Sequence, residues 1–118
     1  MQLISLKARR ERTIRAALSA LAREESELLA ERERLASERA ALCDEWRRRS
    51  EIGDVLHQNS LQDLKMEFSD YYLAERGLVD RLDASGVKLD ELRKDRHRHE
   101  QALRQAVAGQ EKLKLLME

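Results

Sequence analysis

Proline is absent from this 118-residue chain, and glycine occurs only four times. Such a backbone has almost nothing to break a helix, and it lacks the punctuation that turn-rich β architectures need. Aromatic residues make up 3% of the chain (one Trp, two Tyr, one Phe), too few to dominate a globular core. The single cysteine, Cys43, excludes an internal disulfide framework and suits a reducing compartment. Beside Leu42 it reads as a small apolar packing residue rather than a reactive thiol. There is no apolar run long enough for a signal peptide or membrane span, and the basic start MQLISLKARRERTIR passes straight into periodic sequence. A soluble, cytosolic protein without direct membrane insertion is expected. Net charge is missing too: 23 basic residues balance 23 acidic ones, which argues against a nucleic-acid partner.

What is present is charge of mixed sign, at 39% of residues, threaded by a leucine ladder. Ile14, Leu21, Leu28, Leu35 and Leu42 fall every seventh residue. A second ladder runs through Leu61, Phe68, Leu82, Leu89 and Leu103, with Leu64, Tyr71, Leu78, Leu92, Ala106 and Leu113 three positions later. A seven-residue apolar repeat keeps one seam of a helix against a partner helix. The fold class predicted is all-α: two long helices forming an antiparallel coiled-coil hairpin.

The signals for a bend lie near the middle. Gly53-Asp54 interrupts the first run, and Asn59-Ser60 precedes the second, with Ser60 and Asp63 spaced as a capping box. Helix one is placed at about 3–56, the bend at about 53–62 and helix two at about 61–116, in a single domain spanning 1–118. Ser85-Gly86 offers a turn that would give three helices, yet Leu78, Leu82, Leu89 and Leu92 keep phase across it, favouring one continuous helix. If residue i faces about 119 − i, the acidic run Glu24, Glu25, Glu27 and Glu31 meets the basic run Arg93, Lys94, Arg96 and Arg98. The same register brings Trp46 near Tyr72 and Leu73. Five seam positions of helix two are polar: Glu75, Ser85, Arg96, His99 and Gln110. They either fix register or mark loosely joined stretches open to a partner.

Chemistry has little to work with. His97 and His99 are two apart on a helix and point in different directions, so no metal site is expected. No glycine-rich phosphate loop and no nucleophile–base–acid arrangement is present, so no catalytic residues, no cofactor and no enzymatic activity are assigned. Two clusters suit protein partners instead. Trp46-Arg47-Arg48-Arg49 has the composition of an interface anchor, though Trp46 packed into the seam with solvated arginines beside it is the plainer reading, and both can hold. At the chain ends, Lys7, Arg9, Arg10, Arg12 and Arg15 are offset only by Glu11, and a hairpin brings them beside Arg104, Lys112 and Lys114.

A hairpin of this length, a basic start, the run Glu45-Trp46-Arg47 before the bend and the end Glu111-Lys112-Leu113-Lys114 together resemble the YscO/FliJ family. These are central stalk proteins of type III secretion and flagellar export. The chain departs from the pattern after Trp-Arg, where Arg48-Arg49-Ser50-Glu51 stands in place of an acidic pair. The resemblance implies a stalk or adaptor in the cytoplasm, peripheral to the inner-membrane export apparatus. It implies a hexameric export ATPase as one partner, the export gate's cytoplasmic domain as another, and export chaperones as a further one. Charge and resemblance together assign the ATPase contact to Arg9, Arg10, Arg12, Lys112 and Lys114, and the gate contact to Trp46, Arg47, Arg48 and Arg49. The competing reading is a generic coiled-coil scaffold or a prefoldin-like helical chaperone.

Overall fold

Both helices form in a chain without proline, and they take in all four of its glycines. A computed structural model describes residues 2–53 and 58–117, with only the backbone described for 52, 53 and 58–60. Helix α1 covers Gln2–Gly53 and helix α2 covers Gln58–Met117, and no strand occurs among the described residues. The fold is the predicted all-α helical hairpin. Ala, Leu, Glu and Arg are among the strongest helix formers and supply most of α1 and a large share of α2. Helix α2 runs unbroken through Gly77, Gly86 and Gly109, and no described residue has a positive φ.

The boundaries differ from expectation at the bend. Helix α2 begins at Gln58, so Ser60 is a helical residue and not the N-cap that its spacing to Asp63 suggested. Gly53 is the last residue of α1, while Asp54 and the expected last turn of helix one, up to 56, lie outside the described residues. The predicted bend at 53–62 is therefore described only at its margins.

The chain divides into two compact units, Met1–Leu28 with Lys88–Glu118, and Leu29–Val87. In the first unit, Leu21 and Leu28 of α1 cluster with Leu89 and Leu92 of α2, all buried. The helices run antiparallel there, because Glu11 meets Gln110 while Glu25 meets Arg96. In the second unit Leu35 is the most buried apolar residue, 2% exposed, and Ser85 is buried too. Pairs Arg32–Ser85, Arg39–Glu75 and Arg49–Glu67 give the same antiparallel order. A buried leucine contributes roughly 1.5–3 kcal/mol. Five of them among the described residues make a thin strip, so what fixes register has to come partly from elsewhere.

It comes from polar layers in the seam. Four of the five polar seam residues of α2 bond across to α1. In the first unit the Gln110 amide donates to Glu11 at 2.7 Å, and Arg96 donates to Glu25 at 2.6 Å. In the second, Arg32 donates to Ser85 Oγ at 2.7 Å and to the Leu82 carbonyl at 2.8 Å, and Arg39 donates to Glu75 at 3.0 Å. His99 instead faces the Asp95 carbonyl of its own helix at 2.8 Å. No buried side-chain nitrogen or oxygen among the described residues lacks a partner. A shifted register would strand these groups, which is how polar seam residues specify one alignment. The opposed runs meet more narrowly than expected: Glu25 alone takes both Arg93 and Arg96, Glu31 lies 4.0 Å from Arg81, and Arg98 stays with Asp95.

Two mid-helix glycines lie under cations of α1. A Cβ on Gly86 would lie 3.1 Å from Arg32 Nη1, and one on Gly109 would lie 3.0 Å from Lys7 Nζ. Each glycine lets a seam cation of α1 lie down on α2. Gly77 has nothing within 4 Å and needs no such explanation.

Candidate binding surfaces

In the first unit, the one acid among the N-terminal cations is already engaged. Glu11 takes Arg15 at 2.9 Å along α1 and Gln110 across the seam. That leaves Arg9, Arg10 and Arg12 exposed on α1, and Lys112 and Lys114 exposed on α2, with no ion pair among the described residues for any of the five. Arg10 and Lys7 border a groove of about 230 Å³ whose other wall is Ala102, Gln105 and Ala106. Small residues on α2 leave room there, so the cations stand beside an apolar floor. Apolar residues extend the same surface: Leu3, Leu6, Leu115, Leu116 and Met117 are all more than half exposed. The sequence showed the charge but gave no notice that these apolar side chains would stay uncovered.

In the second unit the aromatics gather around Trp46. Its ring stacks on Tyr71, with centroids 5.2 Å apart and planes at 16°, and meets Phe68 at 5.3 Å and 54°. The expected neighbours Tyr72 and Leu73 are instead exposed, at 55% and 64%. The residue stacked on Trp46 is Tyr71, two positions nearer the start of α2 than position 73, where a register of 119 − i would put it. Burial pushes the Tyr71 phenol pKa up, and the adjacent Cys43 thiol and Glu75 carboxylate add to that. Trp46 and Cys43 are half-buried, so neither is sealed by the protein's own packing.

The three arginines after Trp46 separate by role. Arg47 and Arg48 are exposed, and Arg47 lies only loosely against Asp44, at 4.0 Å. Arg49 is exposed too, but it reaches across to α2 and forks onto Glu67, its Nε 2.6 Å from one carboxylate oxygen and its Nη2 bonded to the other. That bond holds the Glu67 carboxyl below the usual carboxylate range and raises the Arg49 guanidinium, helped by the two charges. A planar two-point pair of this kind positions both side chains.

Among the α1 halves of the polar layers, Glu25 was expected opposite Arg96, whereas Glu11, Arg32 and Arg39 were missed as seam partners. Their separations are multiples of seven, so the signal was present beside the leucine ladder. No group of three or more His, Cys, Asp or Glu side chains suited to a metal occurs among the described residues. No described helix is long and apolar enough to cross a membrane. Compared with known proteins, the chain matches no family model, no curated protein and no solved structure.

Proposed function

We propose that this protein is a helical-hairpin adaptor, a stalk of the YscO/FliJ type that links a hexameric export ATPase to the cytoplasmic domain of an export gate. The observation that carries the proposal is the exposed cation set Arg9, Arg10, Arg12, Lys112 and Lys114, left without ion pairs among the described residues while Glu11, the one acid among the N-terminal cations, is engaged. Cations that do no work in the fold are available to a partner, and clustered on one unit they attract an acidic surface. In the second unit Trp46, half-buried on Tyr71, presents an aromatic anchor, with Arg47 and Arg48 exposed beside it. Arg49, exposed as well, is engaged by Glu67 of α2. Export chaperones are a further partner class for the same helical surfaces.

The test separates the two contacts. Reversing Arg9, Arg10, Arg12, Lys112 and Lys114 to Glu weakens binding to the purified export ATPase and removes any stimulation of ATP hydrolysis, while helicity stays unchanged. Exposed charges contribute little to folding, so binding and stability come apart. Replacing Arg47 and Arg48 with Ala weakens gate binding and spares the ATPase. A stable dimer that binds neither partner assigns the chain to the scaffold class instead.

A further inference from the structure

One surface of the second unit has a chemistry that the adaptor reading uses only through Trp46, leaving its carboxylates unassigned. A groove of about 380 Å³ runs between the helices, floored by Leu42, Trp46, Tyr71 and Ala74. Around it stand three carboxylates, Glu45, Glu67 and Asp70, against a single guanidinium, Arg49. Arg49 is committed to Glu67 through both carboxylate oxygens. Glu45 and Asp70 are exposed and make no ion pair among the described residues. The groove is thus apolar and aromatic at its base and carries excess negative charge at its rim. That polarity is opposite to the cationic surfaces assigned to the ATPase and the gate.

We infer that this groove is a docking site for an arginine or lysine side chain carried on a partner polypeptide. Such a side chain has an apolar stem and a cationic head. The stem lies along Leu42, Ala74 and the Trp46 ring, where an aromatic face also attracts the cation. The head reaches Glu45 and Asp70, which lack a partner of their own. Charge complementarity selects this occupant: an acidic ligand meets three carboxylates, and an uncharged apolar one leaves the rim unmatched. The Arg49–Glu67 fork forms one wall and keeps Arg49 from folding over as an internal occupant. The inference shares Trp46 with the proposed gate contact but does not rest on that contact, because the partner it predicts carries the opposite charge.

Trp46 is the only tryptophan in the chain, so its emission reports this groove directly. The purified full-length protein is titrated with a capped arginine-leucine-arginine peptide and, separately, with its glutamate-leucine-glutamate counterpart. The arginine peptide gives a saturable change in Trp46 emission that weakens with added salt, and the glutamate peptide gives none. The double variant E45Q/D70N weakens the arginine peptide by about fivefold, the scale of two exposed ion pairs. Both residues are exposed, so circular dichroism is expected to show the variant as helical as the parent. An equal response to both peptides, or no saturable change with the arginine peptide, overturns the inference. So does a concentration-dependent Trp46 shift without peptide that tracks dimer formation, because a second copy would then be the occupant.

Discussion

The three glycines inside α2 grade the space around that helix, and alanine at each has a different predicted outcome. All have φ values that alanine tolerates, so the comparison isolates intrinsic helix propensity from contact. Glycine-to-alanine in a helix interior is worth about 0.8–1 kcal/mol on propensity alone. At Gly77 the new methyl meets nothing within 4 Å, so the full gain appears, raising the melting temperature by about 3–4 °C for a chain of this size. At Gly109 the Cβ lies 3.0 Å from Lys7 Nζ, the free end of a flexible side chain that can step aside, so most of the gain survives. At Gly86 the Cβ lies 3.1 Å from Arg32 Nη1, which is held by bonds of 2.8 and 2.7 Å to Leu82 and Ser85. Displacing it weakens two charge-assisted bonds, each worth about 1.5–3 kcal/mol, so Gly86→Ala loses at least what propensity adds. The assay is thermal and urea unfolding followed by circular dichroism, repeated in an Arg32→Ala background. With Arg32 gone, Gly86→Ala recovers the same gain as Gly77→Ala, and the cycle gives a coupling of about 1 kcal/mol or more. Equal stabilisation by both glycine replacements in the parent chain, or no coupling to Arg32, refutes the packing argument.

Leu35→Ala removes the most buried apolar side chain and is predicted to cost about 2–3 kcal/mol, at the low end for a leucine because a narrow seam can partly collapse; denaturant unfolding measures it. Glu67 contributes through a lowered carboxyl pKa, so its stabilisation is fully present above the ordinary value of 4.5 and fades as pH falls through the lower folded value. The stability difference between parent and Glu67→Gln therefore shrinks between about pH 6 and pH 3; a difference that grows on acidification contradicts the sign. Spin labels at positions 28 and 92, both in the leucine cluster of the first unit, are predicted to couple within one chain. Coupling seen only between chains would mean that the helices pair intermolecularly.

The strength of the ladder decided how much the sequence revealed. Leu21, Leu28, Leu35, Leu89 and Leu92 are buried where the seven-residue spacing put them, because an apolar stripe at that period has only one face to hide. Phe68 sits on the same ladder yet is 52% exposed, since only its contacts with Trp46 and Tyr71 shield it. The α2 start was misjudged because Ser60 with Asp63 satisfies a capping pattern that a helix already begun at Gln58 does not need. The arginine run was legible as a cluster, but its division was not: only the structure reveals that Glu67 faces Arg49 across the bend-side unit. Of the α1 polar column only Glu25 was expected to pair across; Glu11, Arg32 and Arg39 escaped notice because charged residues are so common here that three more at heptad spacing do not stand out.

The adaptor account stands or falls most directly on capture from the lysate of the native organism, with the parent chain and the five-site charge reversal at Arg9, Arg10, Arg12, Lys112 and Lys114 as paired baits. The account predicts that a hexameric export ATPase is recovered with the parent chain and lost with the reversed one. Recovery of no ring ATPase by the parent, or equal recovery by both baits, would contradict it.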